Sequence, residues 1–349
     1  MHARGVQYAL LAAALFGVST PLAKVLLRES SPQLLAGFLY LGSGLGLAIV
    51  ATLRRERRSD SEAGLTRRDA PWLAAAIGFG GILGPVLLMI GLVRTPATSV
   101  SLLLNLEGVF TALLAWIVFR ENVDRRIALG MFAIVLGGLA ISWEGRADVA
   151  GFAGPLAVAA ACGCWAIDNN LTQKVSGGDP VQIAMLKGLV AGSVNVAIAA
   201  ALGAHWPTLL QSGATLVLGF LSYGVSLVLF VLALRHLGTA RTGAYFSLAP
   251  FVGAAVALIG FRERPTVAIT VGAACMAVGA WLHLTERHEH EHVHAEMEHT
   301  HAHVHDAHHQ HEHAADDPLG EPHSHRHRHE PLVHSHPHYP DIHHRHDHD

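Results

Sequence analysis

The stretch "FRENVDRRIALGMFAIVLGGLAI" (residues 119–141) returns 142 residues later as "FRERPTVAITVGAACMAVGAWL" (residues 261–282). Phe-Arg-Glu recurs, Gly130 falls on Gly272, and Gly137 falls on Gly279. Upstream, Gly78-Phe79 corresponds to Gly219-Phe220 after a slip of one residue, and Phe16-Gly17 and Lys24 loosely echo Trp165-Ala166 and Lys174. The chain therefore contains two related halves, and their composition says where they live. Ala, Leu, Val, Ile and Gly dominate the first 287 residues, with charges confined to short clusters, which is the make-up of a membrane protein.

Apolar stretches long enough to cross a hydrocarbon core of roughly 30 Å occur ten times, at residues 6–27, 34–53, 71–93, 97–119, 127–143, 152–171, 181–202, 213–234, 243–261 and 267–284. None alternates polar with apolar residues as a strand would, and in lipid each segment must satisfy its own backbone. The expected fold class is all-α integral membrane, with ten transmembrane helices as two inverted five-helix repeats. The first span is longer than the apolar core of a secretory leader and nine more follow, so it is read as a retained helix. An odd number of helices per repeat sends the second copy into the membrane from the opposite side, a design that exposes a central site to each face in turn.

Counting Lys and Arg in the connections, fourteen fall on the side of the N-terminus and five on the other, so both termini are expected to be cytoplasmic. The three cysteines, Cys162, Cys164 and Cys275, all lie inside spans and give no disulfide framework. Cys162 and Cys164, two apart on a helix, point to different sides and are read as core packing.

The five-plus-five repeat, "LFGVSTPLAK" in the first helix, "CWAIDNNLTQK" opening the second half, and "FRENVDRRIALG" and "FRERPTVAITVG" closing the fourth and ninth spans resemble the drug/metabolite transporter superfamily, EamA branch. The resemblance implies a bacterial inner-membrane secondary transporter, a multi-pass permease and not an enzyme, often an exporter of small metabolites from a cavity between the halves. One departure is visible: the family often has proline in both the fourth and ninth helices, whereas here Pro250 is matched by Gly108, preceded by Glu107. The domains implied are a first repeat at 1–146, a second at 147–287 and a His-rich cytosolic tail at 288–349.

Ionisable groups within the bilayer mark transport paths, proton relays or buried pairs. Glu107 lies at the middle of the fourth span, and the sequence puts no partner at its depth except Lys187, so it is the candidate coupling residue. Asp168 and Lys187 stand roughly 10 Å and 6 Å to the terminal side of their span centres at about 1.5 Å per residue, and are placed to pair. Asn105 and Thr111 flank Glu107 in sequence; Thr98, Ser101, Asn105 and Gly108 share one small, polar face. Asn169 and Asn195 are candidates either for lining a cavity or for joining helices. The ridge Gly188/Gly192 reads as helix packing, and "GFGGILGP" (residues 78–85) as an interrupted segment of the kind found at transport sites. Arg262-Glu263, at a span end, reads as snorkelling termini.

The tail carries 23 of the 27 histidines, with 13 acids and 3 arginines, and cannot bury enough apolar surface to order itself. Imidazole suits Zn, Cu and Ni, and the candidate metal ligands are His288, His290, His292, His294, His299, His301, His303, His305, His325, His327, His329, His334, His336 and His338. No cofactor is required; a divalent transition metal on the tail is the only one suggested. Expected partners are a small-molecule substrate, the lipid bilayer, metal ions and a second copy in a homodimer, with no nucleic acid. A transition-metal transporter (Ni, Co, Zn or Cu) and a membrane-anchored metal sensor stand as the alternatives.

Overall fold

The computed structural model describes residues 2–55, 65–119, 125–143, 149–175, 178–237, 242, 245–284, 289–294, 297–303, 323–329 and 332–337. Ten apolar helical segments cross in sequence: His2–Leu26, Pro32–Arg55, Ala70–Arg94, Ala97–Phe119 with a break inside it, Arg125–Ser142, Val149–Gln173, Pro180–Ala201, Leu209–Leu237, Ala249–Gly260 and Val267–Leu284. Eight of these stretches are long and apolar enough to span a bilayer, and the last two are shorter apolar helices. Ten crossings put the start of the first helix and the end of the tenth, His2 and Leu284, at one face, here called the terminal face; the other is the distal face.

Local chemistry sets the starts. Pro180 occupies the first turn of the seventh span, where its missing N–H costs nothing, and the Asp179 carboxylate accepts from Val181 N at 2.8 Å. Thr208 and Gln211 cap the eighth span reciprocally. Large apolar side chains such as Ile49, Ile117, Leu139, Leu210 and Ile259 remain exposed; a water-soluble fold would bury them, and lipid is their solvent.

Packing follows a pseudo-two-fold axis. The two most extensive helix contacts join the second span to the seventh and the fifth to the tenth, each span meeting its own repeat counterpart. The third packs on the sixth as the eighth packs on the first, and the fourth packs on the sixth as the ninth packs on the first. The glycines that revealed the repeat meet across this axis. A Cβ added at Gly137 would lie 2.6 Å from the Gly272 carbonyl oxygen, and one at Gly279 would lie 2.6 Å from that of Gly130. The Gly188/Gly192 ridge likewise seats the seventh span on the second, against Gly44, Leu41 and Gly37, as the sequence predicts.

Two interruptions occur in each repeat at matching places. The third span contains a π turn at Ile77–Leu83 and the eighth one at Phe220–Val225. The fourth span breaks at Leu104 and Asn105, and a turn at Ser247 and Leu248 precedes the ninth-span helix. The fourth span is thus Ala97–Leu103 followed by Leu106–Phe119, which corrects the expectation of one continuous polar face from Thr98 to Gly108.

In the tail, Glu289–His294 pairs antiparallel with Leu332–Pro337, and Met297–His303 with His323–His329. A lone two-stranded ladder is marginal in water, in keeping with a segment whose composition supports no packed core.

Candidate functional site

Pro85 sets the geometry at the middle of the molecule. Proline has no N–H, and its ring crowds the carbonyl four residues back, here Gly81. The π turn lies just before Pro85, and carbonyls left free there are taken up by neighbouring spans. Asn195 Nδ2 donates to Gly81 O at 3.1 Å, while Tyr40 Oη and Trp165 Nε1 donate to Gly80 O at 2.8 and 3.0 Å. Gln33 Nε2 in turn donates to Asn195 Oδ1 at 2.8 Å. Asn195 is completely buried, so of its two readings the structure supports the joining one.

Asp168 lies against the same turn. A Cβ on Gly80 would stand 1.9 Å from Asp168 Oδ2, so only glycine leaves room for the carboxylate. Lys187 Nζ donates to both Asp168 oxygens, at 2.6 and 2.7 Å, and to Thr172 Oγ1 at 3.2 Å; Thr172 Oγ1 donates to Asp168 Oδ1 at 2.8 Å. Both charges are buried. The ion pair predicted from sequence therefore forms, and its hydrogen bonds are well supplied.

Glu107 is different. It follows the break in the fourth span, whose turn is held by Asn105 N donating to Leu102 O at 3.0 Å and Glu107 N to Leu104 O at 3.1 Å. Its side chain does not pair with Lys187, which Asp168 has taken. Instead Asn169 Nδ2, from the sixth span, donates to Glu107 Oε1 at 2.8 Å. Asn169 is neutral, so depth and charge alone do not single it out as the partner of Glu107. Glu107 is half-buried, Asn169 and Gly108 are exposed, and a Cβ on Gly108 would meet nothing within 4 Å. The pair faces an opening.

The remaining candidates sit elsewhere. Asn105 is buried and turned back onto its own helix end, donating to Leu102 O at 2.9 Å and contacting Met276 Sδ at 3.9 Å. Thr111 Oγ1 is buried without a hydrogen-bond partner. Cys162 is fully buried, its thiol 3.7 Å from Leu103 O, in line with core packing. Glu263 is no snorkelling terminus: it accepts from the first amides of the fourth span. A cavity of ≈ 310 Å³ lies away from Glu107, lined by Ser31, Gln33, Val86, Ile90, Ala199 and Leu202 at the distal ends of the second, third and seventh spans.

Among the tail candidates, His288, His305 and His338 lie outside the described residues. The others fall in strands whose register sets His290 opposite His336, His292 opposite His334, His299 opposite His327 and His301 opposite His325. Sequence reasoning missed Tyr40, Trp165, Thr172 and Gln33. The signal for two of them, Tyr40 and Trp165, was present, since Pro85 orphans a carbonyl that some neighbour must satisfy.

A family model described as "EamA-like transporter family" matches residues 3–143 and 152–285. A protein of Methanothermobacter thermautotrophicus described as "Uncharacterized transporter" is 29% identical over 281 residues, covering 76% of this chain and 82% of that one. "Uncharacterized transporter YyaM" of Bacillus subtilis is 24% identical over 250 residues, covering 68% and 79%. A solved crystal structure superposes with a TM-score of 0.59 at 17% identity, covering 79% of this chain and 95% of that one; it speaks to the fold alone.

Proposed function

The chain belongs to the EamA-like transporter family, and from that premise we propose that it exports a small organic metabolite across a bacterial inner membrane, with Glu107 coupling transport to protons. The observation that carries the reading is the Glu107–Asn169 hydrogen bond. It joins a carboxyl group of the first repeat to an amide of the second, beside an opening, at the position where two inverted repeats hold a substrate between them. The repeats are taken as 1–146 and 147–287 and the tail as 288–349, with both termini cytoplasmic.

A transition-metal cargo is the weaker reading. A dehydrated divalent ion wants several His or carboxylate ligands, and among the described residues no three His, Cys, Asp or Glu side chains gather. The tail is read as a metal-responsive regulator, because its strand register sets histidines opposite one another. Its side chains sum to −10 with neutral histidines against +7 on the rest of the chain, so metal loading would change its attraction to the basic connections.

The test compares exported metabolites and whole-cell metal content in cells with the protein, without it, and with residues 288–349 removed. Metabolite export that survives tail removal but loses its metal response supports the reading. A change in metal content alone, abolished with the tail, makes the metal the cargo.

A further inference from the structure

At the distal face a carboxylate ties one repeat to the other. Glu263 Oε1 accepts from Ala97 N at 3.1 Å, and Glu263 Oε2 accepts from Thr98 N at 3.0 Å and Thr98 Oγ1 at 2.6 Å. These amides open the fourth span, where a helix start leaves N–H groups unsatisfied and favours negative charge. The helix's own cap residue, Pro96, makes no side-chain cap bond. Its cap comes instead from the turn that follows the ninth span.

That turn is bent for the purpose. Arg262 adopts φ 52°, the one positive φ at a non-glycine among the described residues, in the left-handed region that L-residues other than glycine seldom adopt. On the same face Lys24 Nζ donates to Leu92 O, and to Thr95 O at 3.0 Å, holding the end of the third span.

We propose that the Glu263–Thr98 contact is the latch that holds the distal face shut in the transport cycle, and that opening to that face requires it to part. Beneath it the seal is close packing: a Cβ on Gly17 would lie 2.3 Å from Ala249 O, and one on Gly253 would lie 2.7 Å from Ser101 Oγ. Past Asn105 the fourth span is no longer sealed, as the open space at Gly108 shows. Close packing between the fourth, first and ninth spans on the distal side thus gives way to open space at Gly108. Contacts between inverted repeats at a closed face must break when that face opens. A carboxylate on two amides and a hydroxyl is suited to this, because water replaces each bond as it is lost and the net cost stays small.

The proposal rests on the alternating-access reading, but its test needs no substrate, so failure of one is distinguishable from failure of the other. Gly108→Cys, a site with room for a side chain, serves as reporter in full-length protein in vesicles, against the reaction of the native cysteines alone. A membrane-impermeant maleimide is added to either side. Glu263→Gln and Thr98→Val are each expected to speed labelling from the distal side about tenfold, the ratio set by one charge-assisted hydrogen bond, and the two together no more than either alone. Thr98→Val keeps the carboxylate and both amides, so it reads the latch even if Glu263→Gln folds poorly. An unchanged distal rate in folded Thr98→Val overturns the proposal and makes Glu263 a permanent clamp.

Discussion

Two carboxyl groups meet the sixth span, Asp168 on it and Glu107 through the adjacent Asn169, and they are held in opposite ways. Asp168 is buried with Lys187 and Thr172, its charge neutralised and its oxygens occupied. Glu107 is half-buried beside an opening, with a neutral amide as its hydrogen-bond partner. A neutralised, fully satisfied pair is built to stay, whereas a half-buried carboxyl group with an uncharged partner can change its protonation without leaving an opposite charge stranded. Under the proposed function, the first carries architecture and the second the coupling of transport.

The sharpest way to break that division is Glu107→Gln. The amide keeps the size and an acceptor for Asn169, so the protein should fold, while any pH-dependent component of flux should vanish entirely. Flux with an unchanged pH profile would move the coupling group elsewhere. Asp168→Asn should do the reverse: it leaves a buried lysine without its counter-charge, at a cost of about 3–5 kcal/mol, read as a fall in thermal stability in detergent. Adding Lys187→Met should recover most of that loss if the pair's role is architectural. Next in size, Gly80→Ala places a methyl group where Asp168 Oδ2 now sits, and overpacking of this kind costs about 1–3 kcal/mol; no loss of stability would mean that the π turn gives way easily.

How much of this could be read beforehand differs from residue to residue. The helix count, the inverted repeat and the Asp168–Lys187 pair followed from hydropathy, an odd repeat unit and depth, all of which are one-dimensional quantities. Gly130/Gly272 and Gly137/Gly279 were legible as marks of the repeat, but that Gly137 packs on Gly272 and Gly279 on Gly130 is seen only in the fold. The breaks were harder. The ninth-span turn precedes Pro250, but in the fourth the matching break is made at Leu104 and Asn105, whose side chain takes up Leu102 O, and asparagine carries no comparable warning. Partners such as Asn169 for Glu107, or Glu263 for Thr98, lie 62 and 165 residues away, and only the packing of one repeat on the other brings them together.

The smallest expected effect gives the finest test of the comparison. Asn169 is exposed, so in Asn169→Ala water can reach Glu107 and replace the lost donor. The stability change should therefore stay within about 1 kcal/mol, several times less than the loss from Asp168→Asn. The pH profile of flux should nevertheless move, because the group hydrogen-bonded to the coupling carboxyl has changed while nothing structural has. A stability loss as large as that of Asp168→Asn would place Glu107 in the same architectural class as the ion pair, and a small loss with an unmoved profile would take Asn169 out of the coupling site while leaving Glu107 in it.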